Sequence, residues 1–220
     1  MKNREILVSP SLLSADKRRL ESEVESCKNA GADWLHYDII DGHFAPNITF
    51  GADFVKALSD KGLFNDVHLM IEDPCKYAKK FIDSGADLIT FHYEAVEDCL
   101  KACERIRGMS EKIKVGISIK PRTSVEEVLP YLNYFDLILV MSVEPGFSGQ
   151  AFIPSSLEKI RTLRKYIDEN NLNTLIEVDG GINQDTCQDV IKAGADVLVT
   201  GSFFFSSLYR PGAIKMLKGK

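Results

Sequence analysis

Eight short apolar runs, separated by stretches with helical periodicity, set the narrowest limit on what this chain can fold into. The runs are Ile6–Leu12, Trp34–Ile40, Asp66–Ile71, Leu88–Tyr93, Lys114–Ile119, Leu137–Val143, Leu175–Asp179 and Val197–Thr200. Strands that alternate with helices pair in parallel through right-handed crossovers. Eight such units in 220 residues match a closed (β/α)8 barrel, the TIM-barrel architecture of eight parallel strands with alternating helices. An open doubly wound sheet is the alternative, weakened because no G-x-G-x-x-G follows the first run.

The joints between elements are legible. Ala30-Gly31-Ala32-Asp33, Ser84-Gly85-Ala86-Asp87 and Ala193-Gly194-Ala195-Asp196 each end a helical pattern just before the second, fourth and eighth runs. A glycine past the last helical turn supplies the left-handed residue that closes a helix. Helix starts are marked too. Ser14 precedes a helix with Leu20, Val24 and Cys27 on one face, and Asp73-Pro74 reads as an N-cap followed by proline at the first helical position. Thr123 and Ser124 each have a glutamate three residues on, the spacing of a capping box. Pro154 opens a helix carrying Leu157, Ile160, Leu163 and Ile167, and Asn183 caps another.

No Pro/Ser-rich or charged linker interrupts this pattern, so residues 1–220 are expected to form one domain. A net charge of −5 argues against nucleic acid or an acidic membrane as partner. The N-terminal MKNREILVSPSLL lacks the apolar core of a signal peptide, and no apolar stretch approaches the roughly 20 residues of a membrane span. Five cysteines without a CxxC fit reduced thiols, with Cys99 and Cys103 on one helix face. A cytoplasmic protein, assembled as a homo-oligomer, is the expectation.

The second run, Trp-Leu-His-Tyr-Asp-Ile-Ile, carries His36 and Asp38 on one face, because strand side chains alternate. Titratable groups buried without partners cost several kcal/mol, so such a pair needs a purpose. His36, His68 and His92 fall toward the C-terminal ends of the second, third and fourth runs, and His43 in the loop after the second. Active sites of this architecture are built at that rim. Asp179 ends the seventh run. Two histidines and two aspartates would make an N2O2 set suited to Zn²⁺, Fe²⁺, Mn²⁺ or Co²⁺, against the competing reading of a metal-free ion-pair network. Glycine-rich turns follow the last three runs: Gly146-Phe147-Ser148-Gly149, Gly180-Gly181 and Gly201-Ser202. Such turns bring backbone N–H groups close to an anion, and the loops after strands 7 and 8 commonly bind phosphate in this architecture. Lys and Arg are missing from all three motifs, so main-chain amides would carry that binding.

Taken together, the chain resembles the ribulose-phosphate 3-epimerases along essentially its whole length. The matching segments are SPSLLSAD (Ser9 to Asp16), HYDIIDGHFAPNITFG (His36 to Gly51), DVHLMI (Asp66 to Ile71), VMSVEPGFSGQ (Val140 to Gln150), EVDGGIN (Glu177 to Asn183) and Gly201-Ser202. The resemblance implies interconversion of D-ribulose 5-phosphate and D-xylulose 5-phosphate, a phosphorylated ketose as the small-molecule partner, and one divalent metal ion, Zn²⁺ or Fe²⁺ foremost. It implies metal ligation by His36, Asp38, His68 and Asp179, with Asp38 and Asp179 as the acid/base pair. Ser11 and His68 would contact the substrate near the reacting centre. Gly146, Phe147, Ser148, Gly149, Gly180, Gly181, Gly201 and Ser202 would hold the phosphate. Ile40, Met70 and Met141 would roof the site, Ile40 standing where the family often has methionine. Ser148 replaces a usual glycine, tolerable if its φ is negative, and Ser142 replaces a common threonine. A 3-epimerase acting on allulose 6-phosphate is the nearest alternative. A sugar-phosphate sensor without catalysis is the alternative from another class.

Overall fold

The computed structural model describes residues 4–219. Met1–Asn3 and Lys220, the ends of the expected 1–220 unit, lie outside the described residues. Eight strands form one sheet: β1 (Leu7–Pro10), β2 (Trp34–Ile40), β3 (Phe64–Met70), β4 (Leu88–His92), β5 (Lys114–Ile119), β6 (Leu137–Met141), β7 (Leu175–Asp179) and β8 (Val197–Thr200). All ladders are parallel and run in the order β1-β8-β7-β6-β5-β4-β3-β2. The remaining seam, between β1 and β2, is joined by a parallel bridge from Ser11 to His36. The result is a nearly closed (β/α)8 barrel.

Helices α1 (Leu20–Ala30), α2 (Ala52–Leu58), α3 (Pro74–Asp83) and α4 (Cys99–Arg107) follow the first four strands, α5 (Ser156–Glu169) follows β6, α6 (Cys187–Ala193) follows β7, and α7 (Ser202–Ser206) with α8 (Arg210–Leu217) follow β8. Asp73 accepts the Lys76 N–H at 3.1 Å with Pro74 behind it, and Asn183 accepts the N–H of Asp185 at 2.8 Å. One expected helix is different. After β5 the chain makes 3-10 turns, Val125–Glu127 and Leu129–Tyr134. Glu127 does reach back to the Ser124 N–H, at 3.3 Å. But Pro130 has no N–H to give to the preceding turn, so an α-helix started by that cap cannot continue. All five cysteines are free thiols.

Strand side chains divide into two layers. Leu35, Tyr37 and Ile39 of β2 point outward into the large core between sheet and helices. Each such fully buried side chain contributes about 1.5–3 kcal/mol. Trp34 points inward, where it joins Leu88, Leu137, Leu139 and Val197 as an apolar plug. Above that plug the barrel interior becomes polar: Ser9, His36, Asp66, Thr90, Ser118 and Glu177 are all fully buried there. The helix–strand joints have a further role. Asp33, Asp87 and Asp196, the last residues of the three repeats, accept the main-chain N–H of Val8, Asn65 and Ile176 at 2.8 Å each. A fourth, Asp136, accepts that of Val115 at 2.9 Å. Each of the four also donates its own N–H to the carbonyl of the same partner residue. Together they clamp β1 to β2, β3 to β4, β5 to β6 and β7 to β8 on the N-terminal face.

Candidate active site

At the opposite end, β2, β3 and β7 deliver His36, Asp38, His68 and Asp179 to one point. One ligand-type atom from each lies within 4.8 Å of the others. Oδ1 of Asp38 is 3.4 Å from Nε2 of His36 and 3.4 Å from Nδ1 of His68. Its other oxygen, Oδ2, accepts the Ser11 hydroxyl at 2.5 Å. The two imidazole nitrogens are buried and have no hydrogen-bond partner. Buried polar atoms are rarely left unpaired. Two such nitrogens converging on a carboxylate oxygen are the donor set a divalent cation requires, so this cluster could hold a metal ion.

Residues behind the cluster fix its orientation. Nδ1 of His36 is 2.5 Å from Asp66 Oδ2, an acceptor that keeps a proton on that nitrogen and makes Nε2 the one that faces the cluster. A carboxylate on the far nitrogen is the usual orienting partner of a metal-binding imidazole. Glu177 Oε1 stands 3.8 Å from the same His36 nitrogen. Nε2 of His68 meets Nε2 of His92 at 2.9 Å, and Nδ1 of His92 meets Glu94 Oε2 at 3.1 Å. Ser142 donates its hydroxyl to the carbonyls of Asp179 (2.9 Å) and Gly180 (2.7 Å), pinning the end of β7. Threonine would do the same, so the serine here keeps the function of the more common residue.

No Lys or Arg pairs with Asp38, Asp66, Glu177 or Asp179 among the described residues, and the electrostatics follow. Burial by itself would raise Asp38, but His36 and then His68 pull its carboxyl far below the carboxylate range. Asp179 is partly open to the mouth, yet packed closely enough that burial, reinforced by the charge of Asp38, raises it to about 7. Burial raises Glu177 well above its ordinary value, with Asp66 adding to it. For His36, the charges of Asp66 and Asp38 overcome burial and raise it well above the ordinary histidine value. Burial lowers His68, and lowers His92 to about 4.

A cavity of about 330 Å³ opens above this cluster. Ser11, Asp38, Met70, Met141, Gly146, Phe147, Ser148, Gly149, Asp179, Gly180, Gly181, Gly201 and Ser202 all line it. His36 and His68 lie behind its wall, fully buried. Ile40 is not part of the lining; it packs with Ala45 and Met70 against Phe44. Lys and Arg are absent from the lining among the described residues, as the three glycine motifs suggest. Gly181 has φ +65°, and a Cβ there would sit 2.4 Å from the Phe152 nitrogen, so the position is closed to every other residue. Ser148 does not have positive φ; Asn171 is the only non-glycine among the described residues that does. The loop is tied across the mouth by Asn47, whose amide donates to the Gly146 carbonyl at 2.7 Å.

The residues that sequence reasoning passed over are Asp66, Glu177, Glu94 and Asn47, together with roles for Ser142 and His92. A signal existed for two of them. Asp66 precedes His68 by two residues and Glu177 precedes Asp179 by two, the same spacing that singled out His36 and Asp38.

The fold and the site define a (β/α)8 barrel protein with an interior His/Asp cluster beneath a glycine-rich mouth. Residues 7–205 match the model of the ribulose-phosphate 3 epimerase family, and the chain belongs to that family. Relatives named ribulose-phosphate 3-epimerase agree. That of Mycobacterium tuberculosis is 43% identical over 213 residues, covering 96% of this chain and 91% of its own. That of Chlamydia muridarum is 39% identical over 225 residues, covering 100% and 98%. Among solved structures, KGPDC from Streptococcus mutans superposes with a TM-score of 0.71 at 14% identity, covering 98% of this chain and 97% of its own. The 3-hexulose-6-phosphate synthase of Salmonella typhimurium gives 0.68 at 17% identity, covering 97% of each. Both likenesses concern the fold alone. No helix of the described residues is long and apolar enough to cross a membrane.

Proposed function

We propose that this protein interconverts D-ribulose 5-phosphate and D-xylulose 5-phosphate by moving the C3 proton between Asp38 and Asp179. The observation that carries the reading is the pairing of two carboxylates, from β2 and β7, on one cavity, with environments that drive them to opposite protonation states. Pairs of acids pushed apart in this way mark acid and base partners. Asp38, held ionised, takes the C3 proton from one face of the substrate. The C–H electron pair moves into the bond toward C2, giving an enediolate, and Asp179 delivers its proton to the other face of C3. In the reverse direction the two exchange roles.

His36, Asp38, His68 and Asp179 would hold one divalent cation, Zn²⁺ or Fe²⁺ foremost. When bound, it supplies Lewis-acid stabilisation for negative charge developing on the substrate oxygens, worth several kcal/mol. The Ser11 hydroxyl orients Asp38 through Oδ2. The main-chain amides of the Gly146–Gly149, Gly180–Gly181 and Gly201–Ser202 turns take the phosphate, while Met70 and Met141 keep water from the reacting carbon.

The test is metal analysis of the purified protein together with solvent-deuterium exchange into each of ribulose 5-phosphate and allulose 6-phosphate. Deuterium at C3 of the pentulose with one bound cation per chain is expected. Binding of the sugar phosphate without exchange would leave a sensor and sink the reading. A second check lies at the phosphate end. Gly149 has φ +79°, which strains any side chain by about 1–2 kcal/mol, but open space lies where a Cβ would stand, so aspartate meets no clash there. Like-charge contacts cost several kcal/mol, so Gly149→Asp raises KM for the ketose phosphate by about tenfold or more, while Tm falls only by the few degrees that the backbone strain accounts for. An unchanged KM would move the phosphate elsewhere.

A further inference from the structure

Two buried rings and a carboxylate form a line leading away from the cluster. His92, the last residue of β4, is fully buried. Its Nε2 is 2.9 Å from Nε2 of His68, and its Nδ1 is 3.1 Å from Glu94 Oε2. Phe44 covers the His92 ring at a centroid separation of 4.6 Å, with the Lys120 ammonium on the Phe44 ring. Glu94 is itself held by the loop after β5, its Oε1 accepting the Lys120 N–H at 2.8 Å and the Thr123 hydroxyl. That loop is fixed in turn by Lys159, whose ammonium donates to the carbonyls of Lys120, Pro121 and Thr123.

A contact between two imidazole nitrogens contains one proton, so one ring donates and the other accepts. Neutral imidazole has one donor and one acceptor nitrogen, which leaves two arrangements. In the first, His68 donates from Nε2, His92 accepts at Nε2, and the His92 proton sits on Nδ1, where it donates to Glu94. In the second, every proton is reversed, and a lone pair on His92 Nδ1 faces the ionised Glu94 at 3.1 Å. The second places two acceptors against each other with nothing between them. The first satisfies every group on the line. It also leaves His68 Nδ1 as a lone pair directed at the point shared by His36, Asp38 and Asp179.

We infer that His92 and Glu94 are positioning residues for the cation: Glu94, acting through His92, fixes the proton of His68 on Nε2 and so makes Nδ1 the metal donor. The inference rests on the reading of the four-residue cluster as a metal site. Its particular consequence concerns Glu94→Gln. The Lys120 N–H and Thr123 hydroxyl hold the oxygen of the new amide on their side, which turns the amide nitrogen toward His92. The amide then donates to His92 Nδ1 and the whole line reverses, putting a proton on His68 Nδ1. His92→Phe keeps the ring packing and removes the acceptor, whereas His92→Gln can still accept through its side-chain oxygen.

The experiment has two readouts on the full-length protein. The first is long-range proton–nitrogen correlation of the histidine rings in metal-free protein, which reports the tautomer of His68. The second is Zn²⁺ affinity by competition with a chelator. Wild type is expected to carry the His68 proton on Nε2, and Glu94→Gln to carry it on Nδ1. Loss of such an outer partner typically costs 10–100-fold in metal affinity, and that loss is expected for Glu94→Gln and His92→Phe, with His92→Gln recovering most of it. Wild-type His68 protonated at Nδ1, or variants that bind Zn²⁺ as tightly as wild type, would overturn the inference. Wild-type protein that takes up no Zn²⁺ would instead remove the metal reading itself, and the inference with it.

Discussion

Four carboxylates sit on the floor of this barrel and four in its upper interior, and they are treated in opposite ways. On the floor, Asp33, Asp87, Asp136 and Asp196 each accept a main-chain N–H and have a second partner. Lys218 pairs with Asp33 at 2.8 Å, Arg107 with Asp136 at 2.9 Å, Arg164 with Asp196, and the Asn65 amide donates to Asp87 at 3.2 Å. In the interior, Asp38, Asp66, Glu177 and Asp179 are given no cationic side chain except histidine, and both Glu177 oxygens and Asp66 Oδ1 are buried without a hydrogen-bond partner. The floor aspartates complete the fold. The interior ones are left short of partners, and the two that reach the cavity, Asp38 and Asp179, have the perturbed titration that marks chemistry.

The contrast predicts that the two sets fail differently. Asp38→Asn and Asp179→Asn should each lower kcat by at least about 100-fold, since positioned acid–base groups supply roughly 10²–10⁴. Tm should hold or rise for Asp179→Asn, whose charge burial disfavours, and hold or fall for Asp38→Asn, whose charge the two histidines stabilise. Retention of more than about a tenth of wild-type kcat by either variant refutes the two-carboxylate scheme. Next in size is the pH dependence of cation binding. Metal-free folded protein holds a proton on Asp179 up to about pH 7, where an unfolded chain would release it near 3.8. The folded state therefore binds more protons in that window, and its stability falls as pH rises through it. A cation competes with that proton for the Asp179 carboxyl and is held more weakly where the proton stays, so Zn²⁺ affinity should weaken by up to about tenfold per pH unit as pH falls below 7. Calorimetry in buffers of different ionisation enthalpy counts the protons. Affinity that does not change between pH 5 and 7 contradicts the assignment.

A smaller effect separates the floor. Asp196→Ala strands the Ile176 N–H and takes one of its two carboxylate partners from Arg164, costing about 1–3 kcal/mol. In a chain of this size each kcal/mol lowers Tm by about 2–4 °C. Thermal denaturation alongside steady-state kinetics should find a lower Tm with kcat kept within about twofold. A loss of turnover comparable to that of Asp179→Asn would erase the distinction between floor and interior.

Much of this is legible in the order of the residues. Strands buried on both faces read as near-continuous apolar runs, and the Gly-Ala-Asp joints locate three of the four clamps. The fourth is hidden because Asp136 follows Tyr134-Phe135 rather than Gly-Ala. The missing α-helix after β5 turns on Pro130, whose local veto outweighs a well-formed capping signal. At the site, the four clustered residues are visible because strand alternation is a local rule. The Asp66–His36 and His68–His92–Glu94 contacts are not, because they depend on register between neighbouring strands and on which way the loop after β5 folds back.

Each floor clamp closes over a short span of sequence, 20 to 25 residues, and always joins an odd-numbered strand to the even-numbered strand after it. The barrel is thus made of four quarters, each with its own internal staple, meeting at plainer seams. A circularly permuted chain opened at a seam, between β2 and β3 or between β4 and β5, keeps all four staples within unbroken segments. One opened inside a quarter, between β3 and β4, must reassemble a staple from opposite ends of the polypeptide.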